Sequence, residues 1–299
     1  MATQVVSRVR NLFQIELPVR SLFEAPTVAQ LAEQIEMSRK RQLGQHEADL
    51  LAFLSKTNGY APTPIEPVAR DGELPLSFAQ QRIWFLEQLE GSASTYNMPA
   101  ALRLAGKLNI AALQKSINEI MSRHEALRTS FPVVNGVPHQ AIAPDLQVPL
   151  PILELGGYVS KEAQLAEVQR LAAEEAKCLF DLVNGPLLRV KLLRLADEEH
   201  VLLITMHHII SDGWSIGIFV REWGALYKAY LEEAAYPLKE LAIQYIDFAH
   251  WQHNTLQGER LEKLLTYWST QLANAPPLLE LPTDYLRPAV QSLRGGREI

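Results

Sequence analysis

Apolar residues along this chain follow two periods, that of a helix and that of a strand. Val5, Val6, Val9 and Leu12 recur at helical spacing, and Val19-Arg20-Ser21-Leu22-Phe23-Glu24 reads as one short helical turn. Thr27-Val28-Ala29-Gln30 reads as a capping box, with Thr27 as N-cap and Gln30 reaching back to it. It opens an amphipathic helix with Val28, Leu31 and Ile35 on one face. Residues 1–38 therefore read as a small helical unit, too small to bury a core of its own. Met1 already falls inside a helical pattern with no cap before it, so the unit reads as cut.

Residues 39–73 read as a connector. It starts on the basic run Arg39-Lys40-Arg41, carries a helical piece near Glu47 to Leu54, and then meets Pro62, Pro64 and Pro67, which stiffen the chain and block helix. From Leu74 to about Pro282 the pattern is that of a single α/β domain. Helices are expected from Ser77 (the N-cap) to Leu89, Ile110 to His124, Lys161 to Ala176, Ser215 to Glu233, Tyr245 to Gln252 and Leu261 to Ala273. Strands are expected at Ala100 to Leu104, and at Leu187 to Leu195 paired with His200 to His208 around Asp197-Glu198-Glu199. Leu127 to Val133 and Val137 to Ile142 read as a hairpin around Asn135-Gly136.

Composition narrows the possibilities. The chain has 299 residues, 47% of them hydrophobic and 21% charged, as expected of a globular protein. The net charge of −6, with acidic and basic residues mixed along the chain and no basic tract of the kind that binds nucleic acid, argues against a nucleic-acid partner. Cys178 is the only cysteine, so no intrachain disulfide can form, which fits a reducing, cytoplasmic setting. Met1 to Arg10 is too polar for a signal peptide, and no apolar run approaches the ~18 residues of a membrane span, so no membrane partner is expected.

The candidate chemistry centres on His207, His208, Asp212 and Gly213. An apolar strand, Val201 to Met206, delivers two imidazoles to its end, and a tight turn follows. Imidazole exchanges protons near neutral pH, with an unperturbed pKa of about 6.5. Neighbouring side chains on a strand point to opposite faces, so one histidine faces a cleft and the other packs. Asp212 either orients an imidazole or pairs with an arginine. Adjacent strand histidines are poorly placed to share a zinc ion, and no Glu follows at metalloprotease spacing, so no metal site is expected. In Arg123-His124-Glu125-Ala126-Leu127-Arg128-Thr129 charges crowd a helix end. They are either a solvated terminus or hold Asp212's buried partner, Arg123 or Arg128. The aromatics of Ser77 to Phe85 and of Tyr245 to Trp251 read first as core. Cys178 reads as an inert helical filler.

The order of these segments resembles the condensation domain of nonribosomal peptide synthetases. Ser77-Phe78-Ala79-Gln80-Gln81-Arg82-Ile83-Trp84-Phe85 is similar to that family's first motif. Arg123-His124-Glu125-Ala126-Leu127-Arg128-Thr129-Ser130-Phe131 is similar to its second. His207-His208-Ile209-Ile210-Ser211-Asp212-Gly213 is similar to its active-site motif, and Tyr245-Ile246-Asp247-Phe248-Ala249-His250-Trp251 to its fourth. Leu17 to Thr27 resembles the second half of a peptidyl carrier domain. Ser7 and Ser21 lack the Gly-Gly-x-Ser setting of the phosphopantetheine site, so no bound cofactor is expected here.

The resemblance implies an α/β fold like chloramphenicol acetyltransferase, a mixed sheet flanked by helices, forming the first of two lobes. On this reading residues 1–38 are a carrier remnant, 39–73 a linker and 74–299 the first lobe. Leu281 to Pro288 marks the crossover, and the second lobe is absent. It implies amide formation between a donor acyl or peptidyl thioester and an acceptor aminoacyl thioester. Both substrates ride on the phosphopantetheine arms of upstream and downstream carrier domains, beside an adenylation domain. It implies His208 as the group that handles the amine's proton, His207 as a motif member, Gly213 as a turn whose N–H faces an oxyanion, and Asp212 as a brace with an arginine partner. Two alternatives stand beside it: an epimerization or acetyltransferase relative, and a truncated chain without turnover.

Overall fold

The computed structural model of the chain describes residues 63–90 and 94–276. The helices expected before residue 55, and Leu281 to Pro288, lie outside those residues. Four strands form the main sheet in the order β1 (Asn97–Ala105), β8 (Glu199–His207), β7 (Leu188–Ala196) and β6 (Ile152–Glu154). β1, β8 and β7 run antiparallel, while β6 joins β7 in parallel. The sheet is mixed and covered by helices on both faces, as the resemblance implies.

The strand period builds this architecture. On β8, Leu202, Ile204 and Met206 enter the core under helices α2 (Ile110–Arg123) and α4 (Gly213–Leu231). Val201 and Leu203 face the other way and pack with Val168 and Leu171 of α3 (Lys161–Lys177). A strand buried on both faces reads as a continuous apolar run, which Val201 to Met206 is. β1 lies at the sheet edge, where Pro99 costs no interior ladder bond.

Each helix expected among the described residues exists, and several carry side-chain caps that satisfy a first N–H group. Asn109 accepts from the Ala112 N–H at 3.0 Å, and Ser160 from the Ala163 N–H at 3.1 Å. α1 (Phe78–Glu90) starts on a reciprocal box: Ser77 N–H donates to Gln80 Oε1 at 2.9 Å, and Gln80 N–H to Ser77 Oγ at 3.2 Å. α5 (Tyr245–Thr255) and α6 (Gly258–Gln271) follow.

Several expectations change. Leu127 lies in a 3-10 turn, Glu125–Arg128, and not in a strand. The bond from Thr129 Oγ1 to Glu125 O, 2.7 Å, favours that tighter winding. The hairpin is real but short: β3 (Val133–Val134) pairs with β4 (Val137–Pro138), and β2 (Thr129–Ser130) pairs with β5 (Ala141–Ile142). Asn135 and Gly136 have φ of 51° and 81°, the pair of positive values that a two-residue hairpin turn requires. β6 was not expected. Cys178 is the C-cap of α3, and its thiol is exposed rather than packed. The connector is fastened at its end: Asp247 Oδ1 accepts from Val68 N–H at 2.9 Å and from Arg70 Nη1 at 2.6 Å.

Candidate active site

The last rungs of β8 separate the two histidines. His207 N–H donates to Leu187 O at 3.0 Å, and His208 N–H to Tyr96 O at 2.8 Å. Ile210 N–H then donates back to His207 O at 3.1 Å, which closes a turn immediately after the strand. β8 ends at His207, so His208 belongs to that turn.

His207 is 1% exposed, with its ring edge-on to Phe180 at 5.9 Å. Its Nδ1 accepts from the Ile209 N–H at 3.2 Å, and its Nε2 lies 3.8 Å from Glu87 Oε2. Burial, and next the neighbouring His208, push its pKa down to about 4. The contact with Glu87 is therefore one of a neutral imidazole near neutral pH and not an ion pair.

His208 is exposed. Its Nδ1 lies 2.8 Å from Ser211 O. A carbonyl only accepts, so Nδ1 carries the proton and the neutral ring presents a lone pair at Nε2. His208 lines a cleft of about 310 Å³ whose walls are mostly apolar, among them Ala79, Ile83, Leu127, Met206, Ile218 and Phe219. An imidazole so held can accept a proton from a group seated in that cleft.

Asp212 is the N-cap of α4. Its Oδ1 accepts from Ser215 N–H at 2.8 Å and from Ser215 Oγ–H at 2.6 Å, and these bonds hold its carboxyl below the usual range. Gly213 is the first residue of the helix. The expected pairing of Asp212 with Arg123 or Arg128 does not form. Arg123 Nε donates instead to Glu222 Oε2 at 3.0 Å, because α2 and α4 pack side by side. His124 Nε2 meets the same oxygen at 2.7 Å. Burial pushes the Glu222 carboxyl up, but His124 and then Arg123 outweigh it and leave it lowered. Arg128 lies 3.7 Å from Glu125 and donates to the Ala143 carbonyl. The reach of Asp212 is local: helix N–H groups three residues on are nearer than any arginine.

Sequence reasoning brought together His207, His208, Asp212 and Gly213, and missed the groups that hold them. Ser211 O has no side-chain signature. His124 and Glu222 are 98 positions apart, so nothing along the chain pairs them. Gln80 stands at capping-box spacing from Ser77, a signal that went unread beside the Ser77 N-cap. Among the described residues no three His, Cys, Asp or Glu side chains group closely enough to hold a metal ion. No described helix is long and apolar enough to cross a membrane.

Comparison with known proteins places this geometry. The family model described as "Condensation domain" matches residues 70–299, and the one described as "Phosphopantetheine attachment site" matches residues 1–35. A linear gramicidin synthase from Brevibacillus parabrevis is 46% identical over 296 residues, 99% of this chain and 5% of that protein. Malpinin synthetase of Mortierella alpina is 43% identical, over 99% of this chain and 4% of that protein. The chain thus spans a small fraction of these relatives. The X-domain from teicoplanin biosynthesis superposes with a TM-score of 0.65 at 33% identity, covering 76% of this chain and 49% of that one. The starter condensation domain of rhizomide synthetase gives 0.62 at 20% identity, covering 69% and 49%, and so shares the fold. The chain belongs to the condensation domain family of nonribosomal peptide synthetases, with a phosphopantetheine-carrier segment ahead of it.

Proposed function

We propose that this chain carries the histidine-bearing lobe of a condensation domain, which joins a carrier-bound donor acyl thioester to the amine of an acceptor aminoacyl thioester. The observation that supports it best is the Nδ1–H tautomer that Ser211 O selects in His208, a residue that lines an apolar cleft. The acceptor amine has a pKa of about 8 and attacks only when neutral. Its nitrogen bonds to the thioester carbonyl carbon, the C–S bond breaks, and the amine proton passes to His208 Nε2. The thiolate leaves on the donor's arm and takes a proton from solvent, while the proton held at His208 Nε2 returns to solvent once the amide has moved away. The N–H of Gly213, the first residue of α4, has no intrahelical partner and suits the developing oxyanion, while Asp212 caps the N–H of Ser215. His207 is a packing residue, Asp212 braces the start of α4, and Arg123 and Arg128 tie α2 and the turn after it to their neighbours.

On this reading residues 1–38 belong to a carrier domain, 39–73 are linker and 74–299 lobe. The partners are upstream and downstream carrier domains and an adenylation domain, in the cytoplasm. A second reading is docking: the X-domain, more similar in sequence than the starter domain, has been solved in complex with OxyB. The experiment gives donor- and acceptor-loaded carriers to the chain, alone and joined to the second half of a relative's condensation domain. Amide product, followed by mass spectrometry, is expected from the joined protein. It is expected to vanish in His208→Ala and to fall far less in His207→Ala. Equal losses in the two variants would sink the assignment.

A further inference from the structure

Two buried side-chain amides tie the turn that carries His208 to the start of α1. Gln80 is 2% exposed and Gln140 is 4% exposed. Gln80 Oε1 accepts from the Ser77 N–H at 2.9 Å, which fixes the sense of the amide, since a flipped group would set N–H against N–H. Its Nε2 therefore points the other way and donates to Ile209 O at 3.3 Å and Gln140 Oε1 at 3.5 Å. Gln140 Nε2 donates in turn to Pro75 O at 2.7 Å, and its backbone N–H to Leu74 O at 2.9 Å. The chain of bonds thus starts on the backbone before α1 and ends on the residue after His208.

Packing alone does not call for these residues. Replacing both partners of a buried hydrogen bond with apolar groups of the same shape can be nearly neutral for stability. What an apolar pair cannot do is hold a carbonyl in one direction. Ile209 O lies in the same turn as Ser211 O, which receives the Nδ1 proton of His208. A shift of this turn would release that proton and, with it, the choice of tautomer.

We propose that Gln80 is a positioning residue for His208: through Ile209 O it sets the turn that locks the Nδ1 proton onto Ser211 O and keeps Nε2 directed at the cleft. Gln140 orients the Gln80 amide. The proposal rests on the reading of His208 as proton acceptor.

The test uses the full chain labelled with 15N-histidine, in which the ring shifts report the nitrogen that carries the proton. The His208 signal is assigned by its loss in His208→Asn. Gln80→Met keeps the volume and removes both amide functions. Gln80→Glu keeps an oxygen for the Ser77 N–H but sets a carboxylate against Ile209 O. In wild type, the neutral ring of His208 is expected as a single Nδ1–H tautomer. In folded Gln80→Met, with cooperative thermal unfolding retained, it is expected to become a mixture of tautomers. In the joined protein, kcat is expected to fall roughly tenfold with KM little changed, the scale of one lost hydrogen bond to a positioned group. Gln80→Glu is expected to show the same loss while its carboxylate is ionised, and to recover as the pH falls through the raised pKa of that buried carboxyl. A wild-type tautomer in folded Gln80→Met overturns the proposal. If Gln80→Met does not fold, an unchanged tautomer in ionised Gln80→Glu overturns it equally. If the joined wild-type protein forms no amide, the condensation reading fails, while the tautomer still judges Gln80.

Discussion

Strand β8 and helix α6 each carry a set of bulky apolar residues, and the molecule treats them in opposite ways. Every residue of β8 from His200 to His207 is buried, between α2 and α4 on one side and α3 on the other. Helix α6 carries Leu261, Leu264, Leu265 and Trp268 at helical spacing and buries none of its residues, with Trp268 at 56% exposed. The difference teaches where geometry is fixed. The imidazoles stand at the end of an element that is packed on both faces, so the turn after it inherits a rigid base. An amphipathic face with nothing packed on it among the described residues contributes little to that base.

Four measurements test this contrast. Leu202→Ala, at a fully buried β8 position, is expected to lower unfolding free energy in urea by about 2–5 kcal/mol. A loss below ~1 kcal/mol would show that the strand is not the rigid base described. The second measurement concerns pH. His207 has its pKa lowered to about 4 in the folded chain, against about 6.5 unfolded. The unfolded chain therefore binds more protons between these values, and stability falls as pH drops from 6.5 to 4. That loss is on the order of 3 kcal/mol in wild type and is expected to shrink in His207→Leu. Equal acid slopes in both proteins would remove His207 from the buried class. Third, Asp212→Ala removes the cap of α4 and is expected to cost about 1 kcal/mol. A cost several times larger would bring back the buried arginine partner that the geometry excludes. Last, Leu265→Ser on α6 is expected to move the unfolding midpoint by less than ~0.5 kcal/mol equivalent. A larger loss would mean that this face packs on something after all.

Sequence periods carried much of this, and their failures have physical causes. The unbroken run Val201 to Met206 marked a two-sided strand, and the period of two put His207 and His208 in different surroundings. The strand ends between them, so His208 reaches the cleft as a turn residue, a boundary that no period defines. β6 was invisible because it is three residues long and follows Pro149 and Pro151. Asp212 was read with an arginine because charge complementarity is visible in sequence while distance is not. The partner of Arg123, Glu222, emerges only when α2 and α4 lie side by side. Ser77 was legible as an N-cap, but the arm of Gln80 to Ile209 O spans 129 positions and needed the fold.

The bond between His208 and Ser211 O has one more consequence. With Nδ1 occupied, the ring cannot pass a proton from one nitrogen to the other as a two-ended wire. On the condensation reading, a proton taken at Nε2 must leave from Nε2, the face on which the new amide lies. Regeneration of the base then waits for the product to move away, so solvent deuterium would slow the recovery between turnovers rather than the bond-forming step alone.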